Sequence, residues 1–279
     1  MLASRTTLSV DDLAAVAELE RRVVAADGGR LKLEWGALRG RAGSRPSDFL
    51  WVVDDRLVGF LGVYSFGDRA ELAGMVDPDF RRKGVGGRLL DAAADECRSR
   101  GLGNVLVIVP RPSAAGAALA RGRGGSLDHA EHALVLSGEP ADGPTDPAVT
   151  TRAAAPDDAG EVARLLEAGF GWAPDDVAGK MSGFGSWTLL VERGTRAIGT
   201  LRLSEDGEFG FVHGFVIDPV EQGRGIGRDV LRRACRELRG RGLSRVALEV
   251  AVENERALGL YTSIGFQPVL TEDYYRIAL

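Results

Sequence analysis

The sequence contains few of the residues that build metal centres or disulfide frameworks. Its 279 residues include two cysteines and three histidines. Cys97 and Cys235 fall in two separate helical patterns, and none of the histidines stands at metal-ligand spacing from them. We therefore expect both cysteines to fill the core as free thiols, without a metal site or a disulfide.

Long apolar runs and an excess of positive charge are also missing. No stretch approaches the roughly 20 apolar residues of a membrane span, and the N-terminus lacks a basic segment followed by an apolar one. The net charge of −5, despite 35 Lys and Arg, argues against nucleic acid as a partner. We expect a cytoplasmic protein, monomer or homodimer, with neither a membrane nor a nucleic-acid partner.

A glycine-rich stretch in the C-terminal half follows a short apolar run that predicts a buried strand. Asp218-Pro219 ends this strand, and a helical pattern begins at Ile226 and closes at Gly240. Amide hydrogens at the start of such a helix bind anions, and glycines let an anion approach the backbone closely. The candidate residues for a diphosphate are Gln222, Gly223, Arg224, Gly225, Ile226, Gly227 and Arg228.

An internal repeat links the two halves of the chain. Asp77-Pro78 with Gly84-Val85-Gly86 lies 141 positions before Asp218-Pro219 with Gly225-Ile226-Gly227. Helical patterns over residues 13–24 and 159–168 open the two halves, each after an Asp-Asp pair that suits a helix start. Strand patterns, the glycine loop, a helix, a strand and a short helix follow in both. The chain is therefore predicted to be a tandem duplication.

This order of elements predicts the fold class and the domains. Each half is expected to be an α/β (α+β) domain with a mixed, mostly antiparallel sheet flanked by helices. The predicted domains span residues 1–138 and 150–279. The polar, proline-rich residues 139–149 between them are predicted to be a linker.

Two motifs of the C-terminal half resemble those of the GNAT superfamily of acetyltransferases. Gln222-x-x-Gly225-x-Gly227 resembles the acyl-CoA pyrophosphate loop of that family, and residues 248–266 resemble its second motif. The resemblance implies transfer of an acetyl group from acetyl-CoA to the primary amine of a small molecule or peptide. The further coenzyme contacts that it implies are Phe215, Val216, Ile217, Asn254, Ala257 and Tyr261.

The resemblance also suggests catalytic residues. Tyr261, seven positions after Asn254, matches the tyrosine whose hydroxyl protonates the departing thiolate. Two residues compete for the role of general base. Glu249 lies inside an apolar strand, where burial should raise its pKa, and His213 ordinarily titrates near ~6.5. Sequence reasoning favours Glu249 narrowly and keeps His213 as the alternative.

The N-terminal half keeps a loop that could hold a diphosphate but lacks the matching catalytic residues. At the offset of 141, Ala120 stands for Tyr261, Ile108 for Glu249, Leu72 for His213 and Ser113 for Asn254. We expect this half to be catalytically degenerate. Its candidate coenzyme contacts are Val76, Arg81, Arg82, Lys83, Gly84, Val85, Gly86, Gly87 and Arg88.

Two questions stay open at this stage. Aromatic residues near loops of the C-terminal half could hold an acceptor or could be ordinary core and rim: Phe170, Trp172, Phe184, Trp187, Tyr274 and Tyr275. A non-catalytic, acyl-CoA-binding scaffold with two degenerate halves is the alternative to an enzyme.

Overall fold

The structure, a computed structural model, describes residues 1–66, 69–174, 176–183 and 185–279. It divides into two compact units. The first unit is Met1–Glu131 together with Leu270–Leu279, and the second unit is His132–Val269. The sequence pattern did not indicate that the end of the chain packs with the first unit. The predicted boundaries at 138 and 150 describe the repeat and stay a prediction.

The first unit is built on a sheet in which only one neighbouring pair is parallel. Its strands run in the order β1-β2-β3-β4-β5-β13, and β4 and β5 form the parallel pair. The bounds are β1 Leu2–Arg5, β2 Asp48–Val53, β3 Arg56–Phe66, β4 Arg69–Val76, β5 Asn104–Pro110, β6 Ser126–Leu136, which continues into the second unit, and β13 Gln267–Ala278, of which residues 270–278 belong here.

The second unit repeats this arrangement. Strands β12, β11, β10, β9 and β7 are neighbours in that order, and only β11 and β12 are parallel. Both units therefore contain a mixed, mostly antiparallel sheet, which confirms the predicted fold class. The bounds are β7 Val149–Ala153, β8 Ser182–Gly183, β9 Ser186–Arg193, β10 Arg196–Asp206, β11 Phe209–Ile217 and β12 Arg245–Ala251.

Helices flank each sheet at equivalent points of the repeat. The helices of the first unit are α1 Val10–Asp27, α2 Trp35–Arg39, α3 Val85–Ser99 and α4 Ala114–Arg121, and those of the second are α5 Ala159–Phe170, α6 Val177–Lys180, α7 Ile226–Gly240 and α8 Glu255–Thr262. The Asp11-Asp12 pair that was predicted to open α1 lies in the first turn of the helix, which begins at Val10. Ser9 is the N-cap, and Asp12 completes a capping box with it.

Each sheet buries its two faces under different helices. In the first unit one core contains residues of α1 and α2, and another contains residues of α3. In the second unit the main core lies under α7 and α8, and a smaller one lies under α5 and α6. Cys97 and Cys235 are free thiols buried in α3 and α7. No helix among the described residues is long and apolar enough to cross a membrane.

Candidate active site

The glycine loop before α7 has the backbone conformation that an anion site requires. Gly223 and Gly225 both have φ of +81°, and Gly225 is the N-cap of α7. A Cβ at either position would meet no heavy atom within 4 Å, so the loop faces open space. The amides in the first turn of α7 have no intrahelical acceptor. Loop and helix start together can hold a phosphate group.

Hydrogen bonds and ion pairs of nearby side chains connect this loop to the rest of the second unit. The Gln222 side-chain amide donates to the Ile217 carbonyl over 2.8 Å, which ties the loop to the end of β11. Arg224 pairs with Glu221 at 2.8 Å, and Glu221 also pairs with two further arginines. Arg228 donates from Nε to Ser263 Oγ over 2.9 Å. Gln222 therefore ties the loop to β11, and Arg224 is held beside the loop by its ion pair with Glu221.

The parallel strands β11 and β12 separate beside the loop. They pair only from Phe209↔Arg245 to Phe211↔Ala247, although β11 continues to Ile217 and β12 to Ala251. Beyond that point the two strands are not paired with each other in the described part of the chain. We call the gap between residues 212–217 and 248–251 the strand cleft. The edge of β11 that faces it carries main-chain polar groups available to a ligand.

A β-bulge lies within the strand cleft. Arg202 pairs with His213 and Thr200 pairs with Val216, so two residues of β11, Gly214 and Phe215, lie opposite one residue of β10. Gly214 has φ of +55°, a left-handed conformation that glycine adopts without strain. Sequence analysis overlooked Gly214. The available signal was a glycine that interrupts the apolar run before Val216.

The bulge and the strand alternation determine which side chains line one face of the cleft. Val212 and Leu248 belong to the core under α7, so their neighbours His213 and Glu249 project to the opposite face. Both are half-buried. His213 Nε2 lies 2.9 Å from Ser204 Oγ, and its ring stacks on Phe211 with centroids 5.9 Å apart. The two candidate bases therefore lie on the same face of adjacent strands.

Tyr261 lies on α8, next to the same strands. Its side chain is 9 % exposed and packs edge-on against Phe266, with ring centroids 6.2 Å apart. Burial raises the pKa of Tyr261 to about 12. Within the described ranges its hydroxyl has no hydrogen-bond partner. Tyr261 therefore keeps its proton at neutral pH and has it available to donate.

Asn254 and Gly227 hold α8 in place beside the loop. The Asn254 side chain accepts a hydrogen bond from the Ala257 amide over 3.0 Å and caps α8. A Cβ at Gly227 would lie 3.0 Å from the Leu260 side chain and 3.9 Å from the Phe215 ring. The start of α7, helix α8 and the bulged strand therefore meet at Gly227. The predicted coenzyme contacts of this half lie on these elements.

The first unit has an equivalent loop with different side chains. Gly84 has φ of +82° and caps α3, but Arg82 stands where the second unit has Gly223 and has φ of +60°. Arg81 replaces Gln222 and donates to the Val76 carbonyl over 3.1 Å, while Asp27 binds its other two nitrogens. Lys83 donates to the Asp79 carbonyl over 2.8 Å. The loop trace is retained, and two of its cations, Arg81 and Lys83, contact the protein.

The first unit lacks the bulge. Strands β3 and β4 pair in unbroken register from Gly59↔Val76 to Phe66↔Arg69. In this register Ala73 faces Gly62, as His213 faces Arg202, so the counterpart of His213 is Ala73 and the predicted match with Leu72 is wrong by one residue. The offset of 141 changes to 140 before the bulge because Gly214 is an inserted residue.

The first unit has apolar residues at the two positions of His213 and Glu249, although the half-buried Glu71 lies on the same face of β4. Ala73 and Ile108 stand at these positions and are buried beside Tyr64. Ala120 stands for Tyr261, is fully buried and carries no titratable group. Side chains therefore fill the position at which the second unit presents His213 and Glu249.

Four of the six aromatic residues considered for the acceptor region are placed as follows. Phe170 and Trp172 at the end of α5 are 49 % and 43 % exposed, and Leu166 of the same helix approaches Gly214. Trp187 donates to Glu237 and lies under Arg241, which indicates a structural role. Phe184 lies outside the described residues.

Of the two alternatives that the sequence left open for Tyr274 and Tyr275, an acceptor contact or an ordinary core position, the structure shows the core position, and it lies in the first unit. Both lie on the part of β13 that belongs to the first unit, and they are 1 % and 2 % exposed. Pairing with β5 holds this segment in the first unit. The strand pattern predicted β13 but not the unit in which it pairs.

Metal ligation finds no support at this site. Among the residues that the structure describes, no group of three His, Cys, Asp or Glu side chains could hold a metal ion.

Comparison with known proteins identifies the family. The Acetyltransferase (GNAT) family matches residues 16–124 and again residues 162–266. The chain therefore belongs to the GNAT acetyltransferase family and contains its domain twice. This membership supports acyltransferase activity of the chain.

Individual relatives extend this result. A mycothiol acetyltransferase of Rhodococcus erythropolis is 31 % identical over 280 aligned positions, covering 87 % of this chain and 88 % of that protein. The N-alpha-acetyltransferase RimI of Mycobacterium tuberculosis is 45 % identical over 94 positions, covering 30 % of this chain and 58 % of that protein. A GCN5-related N-acetyltransferase from Sphaerobacter thermophilus has the same fold, with a TM-score of 0.80, 20 % identity and coverage of 100 % and 96 %.

Proposed function

We propose that the second unit transfers the acetyl group of acetyl-CoA to the primary amine of a small molecule. The observation that carries the proposal is the bulge at Gly214, with His213 and Glu249 beside it, at the strand cleft next to the anion-binding loop. Strands β4 and β5 of the first unit also separate, beyond Leu72↔Val107, but β4 pairs with β3 without a bulge there, and Ala73 and Ile108 stand for His213 and Glu249. The similarity to mycothiol acetyltransferases supports the choice of a small-molecule acceptor.

The residues around the cleft fit acetyl-CoA. Its diphosphate suits the amides of the loop and of the first turn of α7, where nothing lies within 4 Å of a Cβ at Gly223 or Gly225. Its pantetheine arm contains amide groups, which suit the unpaired edge of β11 along Phe215, Val216 and Ile217. When bound, acetyl-CoA supplies an acetyl thioester, an activated acyl group.

The side chains of the second unit would then accept and donate the protons of the reaction. The acceptor amine arrives as an ammonium group and must lose a proton before its nitrogen can attack. Glu249, or His213 held by Ser204, takes that proton. The carbon–nitrogen bond forms as the carbon–sulfur bond breaks, and the Tyr261 hydroxyl gives its proton to the sulfur. Because burial raises the pKa of Tyr261, its hydroxyl is still protonated when the sulfur accepts a proton.

A narrower form of the proposal names the acceptor. Because the Rhodococcus mycothiol acetyltransferase aligns along most of both chains, we propose that the acceptor is the mycothiol precursor that lacks its acetyl group. The exposed rings of Phe170 and Trp172 offer such an acceptor an apolar boundary.

The experiment is an assay of thiol release from acetyl-CoA with the full chain. The amine panel contains the mycothiol precursor without its acetyl group, aminosugars, polyamines and peptides with a free N-terminus. We expect amine-dependent thiol release, with the highest kcat/KM for the mycothiol precursor. A small-molecule preference other than this precursor would contradict the narrower proposal, and a strict preference for peptides would contradict the small-molecule acceptor.

A double variant tests the assignment to the second unit. Tyr261→Phe combined with Glu249→Gln should remove nearly all transfer, whereas Tyr275→Phe in the first unit, as a matched loss of one hydroxyl, should leave it unchanged. Substantial amine-dependent transfer by the folded double variant, retained when His213→Asn is added, would show that the first unit is the enzyme.

A further inference from the structure

Helix α5 approaches the bulged strand β11 most closely at a glycine. Gly169 lies in the last turn of α5, and a Cβ at this position would lie 2.5 and 2.6 Å from the two γ-methyl groups of Val216 and 3.1 Å from its Cβ. Earlier in the same helix, the Leu166 side chain lies 3.6 Å from the position of a Cβ at Gly214, the bulge residue. The last turns of α5 are therefore packed directly on the part of β11 that contains the bulge.

Helix propensity does not explain the glycine at position 169. Alanine is a better helix former than glycine, so a helix that needed only stability would have alanine there. Gly160, in the first turn of the same helix, provides a contrast, because a Cβ at that position would meet no heavy atom of the described residues within 4 Å. A side chain is thus excluded by a close neighbour at Gly169 but not at Gly160.

Val216 cannot easily make room for a larger residue at position 169. Its side chain is branched at Cβ and 5 % exposed, and both methyl groups lie close to Gly169, so a change of rotamer exchanges one close contact for another. Strand β11 is paired with β10, so the end of the helix moves more easily than the strand. Because carbon atoms in contact are about 3.5–4.0 Å apart, a methyl group at position 169 would displace the end of α5 from β11 by about 1 Å.

The end of α5 carries the residues that are proposed to bound the acceptor. Phe170 follows Gly169 directly and Trp172 follows the helix, and both rings are exposed. Val216 and His213 lie on the same face of β11, on either side of the bulge, because their partners on β10 are two residues apart. The position of α5 on Val216 therefore determines how far these rings lie from the face that carries His213.

The first unit has a charged residue at the position of Gly169. Arg22 of α1 and Arg164 of α5 are equivalent, since each binds the aspartate that caps the following 3₁₀ helix. Counted from these arginines, Asp27 stands for Gly169. Asp27 pairs with Arg81 of the first unit's loop at 2.6 Å. At this position the first unit thus has a side chain that binds its loop, whereas the second unit has a glycine that lets α5 approach β11.

We propose that Gly169 is a positioning residue for the acceptor amine. Because it has no side chain, α5 packs on Val216, and this contact sets the width of the acceptor site between the end of α5 and the strand cleft. The inference rests on the proposed transfer to a small-molecule amine, and it adds the contact that limits the size of the acceptor. Acetyl-CoA, which is proposed to bind along β11 and the glycine loop, depends much less on the position of α5.

Gly169→Ala tests the proposal, with Gly160→Ala as the matched control in the same helix. Steady-state kinetics uses acetyl-CoA and the panel amine for which the wild-type chain has the highest kcat/KM. Because a displacement of about 1 Å is costly, we expect Gly169→Ala to raise the KM for the amine about fivefold or more and to leave the KM for acetyl-CoA within about twofold. Gly160→Ala should leave both KM values unchanged. A purely structural role would lower Tm or the active fraction, and neither changes a KM.

Val216→Ala provides the rescue, because it removes both methyl groups that the new Cβ would meet. In the Val216→Ala background, Gly169→Ala should leave the KM for the amine within about twofold, so that the double-mutant cycle isolates the contact between the two positions. If Gly169→Ala alone does not fold, as judged by circular dichroism, the double variant decides in its place. It should fold and have the KM of Val216→Ala.

Three outcomes would overturn the inference. In the first, folded Gly169→Ala leaves the KM for the amine unchanged or raises the KM for acetyl-CoA equally. In the second, the KM for the amine rises equally with valine or alanine at position 216, or the double variant also fails to fold. The third is absence of amine-dependent transfer by the wild-type chain, which overturns the proposed function as well. The first two outcomes leave the proposed function standing.

Discussion

Asp77 in the first unit and Asp218 in the second occupy equivalent positions and have the same contacts. Each caps a short 3₁₀ helix before its glycine loop. Asp77 binds Arg22 at 2.9 Å and Arg56 at 2.6 Å, and Asp218 binds the equivalent arginines Arg164 and Arg196 at 3.2 and 3.5 Å.

The difference between the units begins a few residues before these aspartates. Gly214 adds one residue to β11, and the unbulged β4 has Ala73 where β11 has His213. Ala73 and Ile108, which stand for His213 and Glu249, belong to the core under α1 and α2. The comparison indicates that the aspartate and arginines before the glycine loop do not depend on the residues that stand beside the bulge.

The largest expected difference between the two units is the effect of a mutation in their glycine loops. Gly225→Asp puts a carboxylate where a phosphate would approach, so we expect kcat/KM for acetyl-CoA to fall by about 10³-fold. Loss of about three amide hydrogen bonds at roughly 1.5 kcal/mol each accounts for this size. Gly225→Asn is the matched control, because asparagine is nearly isosteric, uncharged and tolerates positive φ; it should cost about tenfold or less. Steady-state kinetics measures both.

Gly84→Asp in the first unit makes the same change at an equivalent residue. Turnover of the full chain should remain within twofold of wild type. If Gly84→Asp lowered kcat/KM for acetyl-CoA as much as Gly225→Asp does, with both variants folded, the two loops would be equally important for activity. That result would contradict our expectation.

The bulge provides the second difference. Deletion of Gly214 should give β11 the unbroken register of β4, which misplaces the backbone and the side chains along the strand cleft. Because displacements of about 1 Å can cost about 10²-fold in rate, we expect kcat to fall by about 10²-fold or more. Gly214→Asn, which keeps a left-handed residue at this position, should retain most of the activity. A folded deletion variant with wild-type kcat would remove the bulge from the site.

Tyr261 has no counterpart in the first unit and provides the third difference. Tyr261→Phe removes only the hydroxyl, so kcat should fall about 10²-fold while the KM for acetyl-CoA changes little. Wild-type turnover by this variant in a chemistry-limited assay would exclude Tyr261 as the acid.

The pH dependence tests the same group. Burial raises the pKa of Tyr261 from 10.0 to about 12, so the hydroxyl stays protonated in the folded protein over the range in which a free tyrosine loses its proton. The stabilisation that accompanies this shift is complete below pH 10 and is lost as the pH rises through about 12. We therefore expect no alkaline fall of kcat below roughly pH 10. A fall near pH 8 or 9 that is absent in Tyr261→Phe would contradict the raised pKa.

The sequence alone predicted the repeat, the loops and the order of elements, because each depends on neighbouring residues. Glycines with positive φ and Asn254 at a helix start leave local signals. The pairing of β13 with β5 and the register of β11 depend on contacts distant in sequence. The sequence therefore did not predict that Tyr274 belongs to the first unit or that Ala73 is the counterpart of His213.

The smallest expected difference between the two units concerns Ser113 and Asn254, because both residues are helix N-caps. The Ser113 side chain accepts from the Gly116 amide over 3.2 Å, as Asn254 accepts from Ala257. Replacing either with alanine should cost about 1 kcal/mol and lower Tm by about 2–4 °C, which differential scanning calorimetry measures.

Activity separates the two caps, because α8 carries Tyr261 and α4 carries Ala120. Asn254→Ala should lower kcat severalfold through a frayed α8, and Ser113→Ala should leave it unchanged. Asn254→Ser restores the cap that the first unit uses and should recover both Tm and kcat. Recovery of Tm without kcat would show that the Asn254 amide has a second task, which we would assign to direct contact with the coenzyme.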